Sequence, residues 1–244
     1  MVDYSPYANY VEEICRNNDL STFKTNPKYV YMLEHVSPEY GQQYLDYIQN
    51  NTKLSFEDVQ AFCSSNDSVG SPHKIKYGFL TVSPTSLRYV CHAHIILTHL
   101  QSLNLSFADI VEVGGGYGGL CLAIYSLSSK YNITIQSYTI VDLPSVLKLQ
   151  QKYIPLVSSS IHPEFVDATT FGSTITKSNL FLVSNYCFSE ISSQFQNEYR
   201  KHLFPKVSHG FMTWNHIPVY DFGFPCKVED ERPTTGPQNK YVYF

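Results

Sequence analysis

The sequence has no closely spaced cysteines, no long apolar run and no excess of basic residues, and each shortage removes a class of function. The six cysteines, Cys15, Cys63, Cys91, Cys121, Cys187 and Cys226, stand far apart, without the short spacings of structural zinc sites and thiol redox motifs. They read as reduced, packed thiols. Lys and Arg total 17 against 21 Asp and Glu, a formal charge of -4, so no overall positive field exists to hold a polyphosphate, and nucleic acid is not an expected partner. No stretch reaches the roughly 18 apolar residues of a membrane span. The opening MVDYSPYANYVEEICRNN lacks both the basic start and the apolar run of a secretory signal, so a cytoplasmic protein with no membrane partner is expected. Internal repeats and low-complexity tracts are also missing.

What is present is an aromatic-rich chain of 244 residues with 20 Tyr and 15 Phe, a length that suits one catalytic α/β domain with an added segment. From Tyr7 to about Gln60 the apolar spacing is helical, with Tyr10, Ile14, Tyr29, Tyr44 and Tyr47 on the inward faces, which predicts an N-terminal helical cap. Cys63 to Pro84 gathers Ser, Asn, Asp, Gly and Pro without periodicity and reads as a loop-rich connector. Ser83-Pro84 then supplies an N-cap hydroxyl and a first-turn proline for a helix to about Leu103. Strands and helices alternate from there: ADIVEVGG and a helix from Gly119 to Ser128, QSYTIVDL and a helix through Val146 to Tyr153, HPEFVDA, NLFLVSNY and a helix from about Ser192 to Leu203, then HGFMTWNHI. Such alternation implies a mostly parallel sheet with helices on both faces. The final strand-like PCKVEDERP and KYVYF, with no helix between them, predict a closing antiparallel hairpin. The division expected is a cap and connector over residues 1–83 and a Rossmann-like domain over 84–244.

Gly114, Gly116 and Gly119 satisfy G-x-G-x-x-G between a buried strand and a helix, the setting of a dinucleotide fold. Nicotinamide cofactors and S-adenosylmethionine both need this close backbone approach. Glu112 inside the apolar run IVEVGG favours the second, because a carboxylate beside the loop suits an ammonium and a sulfonium and repels a pyrophosphate. Asp142 ends the next strand, where it can accept from ribose hydroxyls of either cofactor. A nicotinamide-dependent sugar oxidoreductase of the short-chain type would carry Tyr and Lys four apart. No Tyr here is followed by Lys at that spacing.

Several separated blocks together resemble the sugar O-methyltransferases. They are Asn66-Asp67 with Gly70 and Pro72, Ser83-Pro84, Leu87-Arg88-Tyr89, VEVGGGYGG from Val111 to Gly119, VDLP from Val141 to Pro144, and SNYCFSE from Ser184 to Glu190, with Glu231, Pro233 and Asn239 in the tail. The resemblance implies a class I Rossmann-like methyltransferase that uses S-adenosyl-L-methionine and acts on a sugar or glycan hydroxyl. VDLPSVL also looks like a segment of O-methyltransferases that act on phenols, whose catalytic histidine has no counterpart here. A donor-binding scaffold without turnover is the non-enzymatic alternative.

On this reading the donor is held by Arg88, Glu112, Gly114, Gly115, Gly116, Tyr117, Asp142, Leu143, Asp167, Ala168, Ser184, Asn185 and Tyr186. Arg88 pairs with its carboxylate, Asp167 with its adenine amino group, and Ser184 to Tyr186 end the strand nearest the reactive methyl. Asn185-Tyr186 lacks the prolines of the Asn-Pro-Pro-aromatic segment of nucleobase methyltransferases, which argues against base methylation. Glu190, and Asp67 and His73 in the connector, are candidates to accept the acceptor's proton. Asn66, Trp214, Asn215 and His216 are candidates for the acceptor wall. No metal is expected, because His92 and His94 are two apart and so point to different helix faces.

Overall fold

Serines and prolines set the start of nearly every helix in the N-terminal third. The structure, a computed structural model, describes residues 5–215 and 225–244. Helices α1 (Ser5–Asn17), α2 (Pro27–Met32), α3 (Pro38–Asn51) and α4 (Phe56–Asn66) form the cap. Ser37 accepts from the Tyr40 N–H, and Ser55 and Asp58 cap each other's backbone reciprocally, satisfying donors that a helix start leaves unpaired. The connector is more ordered than its composition implies. Strands β1 (Ile75–Tyr77) and β2 (Leu80–Val82) pair antiparallel inside it, turning at Gly78, whose φ of +60° suits a tight hairpin. Three residues per strand are too few for alternation to show in the sequence.

Helix α5 (Pro84–Ser102) starts where Ser83 accepts from the Thr85 N–H. Every residue from Pro84 to Leu97 is buried, the mark of a helix packed on all sides. Its neighbours are α3 and α4 of the cap on one side and α6 (Gly119–Leu127) on the other. His92 and His94 face opposite ways from it, His92 Nδ1 meeting Asn185 Nδ2 at 3.2 Å and His94 Nδ1 meeting the Tyr131 hydroxyl at 2.6 Å.

The main sheet contains β3 (Phe107–Val113), β4 (Thr134–Asp142), β5 (Glu164–Asp167), β6 (Leu180–Asn185), β7 (Val207–Trp214), β8 (Lys227–Asp230) and β9 (Lys240–Tyr243), with α7 (Pro144–Val157) and α8 (Ser193–His202) among the connections. Its order is β5-β4-β3-β6-β7-β9-β8. The first five pair in parallel, and β9 runs antiparallel to both β7 and β8. Winding outward from β3 in one direction and then in the other leaves a switch point between β3 and β6, where open α/β sheets bind ligands. One apolar cluster runs from Tyr7 in α1 to Tyr241 in β9, and a smaller one lies under α8. No helix among the described residues is long and apolar enough to cross a membrane.

Cap and sheet meet at Lys24, 1% exposed between α1 and α2. Its ammonium donates to the Asn66 carbonyl at 2.8 Å and the Tyr153 hydroxyl at 2.7 Å, and sits 4.2 Å from the Tyr117 ring centroid. Burial lowers its pKa to about 8, with Glu34 and Asp67 pulling it back up. The unfolded chain, with Lys near 10.5, therefore binds more protons than the folded one between these values, and stability from this group rises with pH across that window. Between pH 8 and 9.5 urea unfolding should show wild type gaining about 1.5 kcal/mol relative to Lys24→Met. Parallel pH curves for the two proteins would refute a buried, perturbed ammonium.

Candidate active site

The glycine loop leaves β3 at the switch point. The Gly114 N–H donates to Val141 O at 3.0 Å, and φ is +80° at Gly114 and +93° at Gly118, a left-handed backbone that costs L-residues roughly 1–2 kcal/mol each. A side chain at Gly114 would also strike the Cys187 thiol, 2.2 Å from its Cβ position. The loop therefore packs directly against the segment that follows β6.

Asp142 ends β4 beside this loop. Its Oδ2 accepts from the Gly115 N–H at 2.9 Å and from Gln150 Nε2 at 3.0 Å, while Oδ1 accepts from the Leu143 N–H at 2.8 Å. Burial raises the carboxyl to about 6 despite these bonds. Gln150, from α7, also donates to Gly116 O at 2.8 Å, and its own Oε1 is buried without a partner. Asp167 stands opposite Asp142 in register and accepts from the Thr169 N–H and hydroxyl, both at 2.8 Å, with Ala168 half-buried beside it.

Glu112 lies beneath the loop and is 2% exposed. Tyr138 OH donates to its Oε2 at 2.9 Å, and a Gly115 Cβ would stand 3.2 Å from that oxygen. Burial raises its carboxyl to about 8, against the opposing Tyr138 hydrogen bond. Charge complementarity to a cation, the expected role, is therefore muted near pH 7, where the group is mostly protonated. Tyr117 is fully buried, and the space over Gly119 at the start of α6 is filled by the Tyr89 and Tyr117 rings, 2.4 and 2.8 Å from a Cβ there.

On the β6 side, Ser184 Oγ donates to Val113 O at 2.8 Å and accepts from the Phe188 N–H at 3.1 Å, bridging the two strands at the switch. Asn185 accepts from the Thr213 hydroxyl at 2.9 Å. Tyr186 has φ of +52°, held by its N–H to Thr213 O at 3.0 Å, a strained backbone of the sort that clusters at functional sites. Its hydroxyl donates to Glu231, and its ring lies 5.5 Å from the Arg88 guanidinium. Glu231 is fully buried and also accepts from the Thr235 N–H at 2.7 Å and Asn239 Nδ2 at 2.9 Å. Arg88, 7% exposed, donates to Leu33 O at 3.1 Å. Glu190 is half-buried and accepts from Asn215 Nδ2 at 2.6 Å, with Ser189 Oγ donating to the other amide atom at 2.5 Å.

The structure thus brings Arg88, Gly114 to Tyr117, Asp142, Leu143, Asp167, Ala168, Ser184 to Tyr186, Glu190 and Asn215 to the carboxyl edge of the sheet. Four expected residues stand elsewhere. Asn66 is fully buried, its Nδ2 given to Ser86 Oγ at 2.8 Å and Tyr117 OH at 3.2 Å and its Oδ1 taken by Tyr153 OH at 2.9 Å, so it locks α4 to the loop instead of lining an acceptor wall. Asp67 is 3% exposed, with its oxygens accepting from the Ser83 N–H at 2.7 Å and Ser86 Oγ at 2.6 Å. It anchors the start of α5. His73 is exposed ahead of β1. Trp214 is fully buried 6.2 Å from the Phe188 ring, a core residue under α8. His216 lies outside the described residues. Gln150, Glu231 and Cys187 also lie beside the loop and the end of β6, and sequence reasoning did not name them as candidates. Gln150 lies on the helix opened by VDLP, and Glu231 within the tail resemblance, so both had a faint signal.

A scan against protein-family models and a search of curated proteins gave no match. Among solved structures the chain is similar to an S-adenosylmethionine-dependent methyltransferase from Clostridium acetobutylicum, at 15% identity and a TM-score of 0.41 over 57% of this chain and 56% of that one. It is similar also to the methyltransferase domain of bacterial CtHen1, at 12% identity and 0.45 over 62% and 96%. A third is an amino pentose methyltransferase from Micromonospora echinaspora, bound to S-adenosylmethionine and involved in calicheamicin biosynthesis, at 10% identity and 0.43 over 59% and 58%. The chain therefore spans little more than half the length of the first and third. The fold class rests on the chain's own topology, an α/β protein with a mostly parallel, Rossmann-like sheet closed by an antiparallel strand pair.

Proposed function

We propose that this chain is an S-adenosyl-L-methionine-dependent O-methyltransferase whose acceptor is a sugar hydroxyl. The observation that carries the reading is the switch point of the sheet, where the glycine loop and Asp142 meet Ser184 to Cys187, with Arg88 over the Tyr186 ring. The residues present fit the donor: Asp142 ends β4 where a carboxylate can accept from ribose hydroxyls, and the buried Gln150 Oε1 beside it lacks a partner. The sugar acceptor is supported by the block resemblance from Asn66 to Glu190.

When bound, the donor supplies a methyl group already activated on a sulfonium, so the protein's part is to position the acceptor and exclude water. Asp142, Leu143, Asp167 and Ala168 hold the adenosine, Gly114 to Tyr117 back it, and Arg88 takes the carboxylate. Ser184 to Tyr186 shape the methyl end. Glu190, oriented by Asn215, accepts the hydroxyl proton, a contribution of roughly 10²- to 10⁴-fold.

Calorimetry with S-adenosylhomocysteine should give saturable binding that Asp142→Ala abolishes while circular dichroism stays unchanged. Binding of NAD in its place would overturn the donor assignment. Glu112 gives a second test. Its folded pKa of about 8 exceeds the ordinary 4.5, so the folded state holds the extra proton between those values and stability falls as pH rises through that window. Glu112→Gln should remove roughly 2–3 kcal/mol of that decline between pH 4.5 and 7 in chemical denaturation. An equal slope in both proteins would show that Glu112 is ionised in the folded chain.

A further inference from the structure

The closing strand pair, α3 and α5 enclose a groove between them. It consists of two cavities of about 470 and 640 Å³, each of a size that holds a small ligand. Tyr47, Glu229 and Tyr243 line both cavities, which makes them two lengths of one channel. Glu229 pairs with Tyr241 and Lys227 with Tyr243 across β8 and β9, so these four side chains share the face of the sheet that forms the floor. Tyr47 and Asn51 of α3 stand over one length, and Thr98 of α5 over the other.

The sheet register gives the groove a direction. Asp230 pairs with Lys240, and Lys240 with Trp214, the last residue of β7, so this end lies at the carboxyl edge of the parallel strands. Lys227 pairs with Tyr243, and Tyr243 with Phe211, which places the other end toward the amino edge. At the carboxyl edge the groove adjoins the candidate active site. Glu231, which receives the Tyr186 hydroxyl, lies between Asp230 and Arg232 in the chain. The Tyr241 ring is 6.2 Å from that of His92, which is 5.7 Å from that of Tyr186.

The lining narrows the chemistry of an occupant. Lys227 is paired with Glu229 at 2.6 Å and Lys240 with Asp230, so no strong field of one sign gathers a phosphate or a highly charged peptide. What is offered is short-range: the half-buried Tyr47 and Tyr243 rings, each an apolar body with a polar tip, the Asn51 amide, and the exposed Arg232 with its several N–H donors. A ligand that matches is uncharged, dense in hydroxyls and apolar on its ring faces, which describes a carbohydrate. The four residues of β8 alone span about 13 Å at 3.3 Å per residue, enough for more than one sugar ring.

We propose that this groove holds the non-reacting rings of the acceptor, and that the substrate class is an oligosaccharide rather than a free monosaccharide. The inference rests on the methyl-transfer reading above and adds to it a binding surface built jointly by the cap and the closing strands. Binding energy gathered there, away from the reacting hydroxyl, holds that hydroxyl at the switch point.

The test applies the full chain to an array of neutral mono- to hexasaccharides and follows methyl transfer from labelled S-adenosylmethionine to the same sugars in solution. Wild type should retain sugars of three or more rings at least about 10-fold better than monosaccharides. Arg232→Ala should weaken that retention about 10-fold, the worth of one hydrogen bond to a charged group, and Tyr47→Ala by about as much through the lost ring face. Both variants should bind S-adenosylhomocysteine as wild type does, which a misfolded chain would not. A silent array, retention that does not depend on length, or variants that retain sugars as wild type does would each overturn the groove alone. Oligosaccharides that are retained and never methylated would overturn the proposed function, and with it the groove's role in holding an acceptor.

Discussion

The glycine loop holds its shape through a triangle of hydrogen bonds, in which Asp142 receives the Gly115 N–H and the Gln150 amide while Gln150 also donates to the Gly116 carbonyl. A loop with five glycines in six positions has much backbone entropy to lose, and nothing in its own sequence selects one conformation. Anchors on the next strand and the next helix do so. The same carboxylate that fixes the loop lies at the tip of β4, so the wall of the crevice and the site's acidic group are one device.

A second anchor ties this device to the rest of the chain. Tyr117 leaves the loop and is enclosed by the Tyr89, Tyr153, Phe23 and Tyr29 rings, with Asn66 bonded to its hydroxyl and Lys24 over its face. Edge and tilted contacts of this kind stabilise aromatic clusters beyond the area they bury. The abundance of tyrosine thus has a structural use, since phenols pack as apolar rings and still satisfy buried polar partners such as Asn66 and Glu112. Because α5 is buried between the cap helices and α6, cap and sheet share one core, and Leu33 reaches the loop as part of that packing.

The opposite wall depends on the closing strand pair. Glu231 follows β8 and returns to the tip of β6, where it receives the Tyr186 hydroxyl while the turn before β9 supplies its other donors. An otherwise unfavourable backbone at Tyr186 is held by this contact, by the Thr213 carbonyl and by the stacked Arg88. The antiparallel addition therefore shapes the site as well as closing the sheet.

Local pattern was enough to read the alternation of strands and helices, the glycine loop, the serine caps and the closing hairpin, because each depends on the spacing of apolar residues or on the chemistry of one turn. Asp142, Arg88 and Tyr186 were legible as candidates for the same reason, each lying next to a strand or helix end that the pattern located. The β1–β2 hairpin was not, being too short to show a period. Nor was the fate of Asn66, Asp67, Glu112 and Trp214. A polar residue reads the same in one dimension whether it faces a ligand or spends its hydrogen bonds on Ser86, Ser83 and Tyr138, and only packing decides which partners arrive. Lys24 makes the point most sharply: burial and the approach of segments far apart in the chain, not residue type, gave it its place in the core.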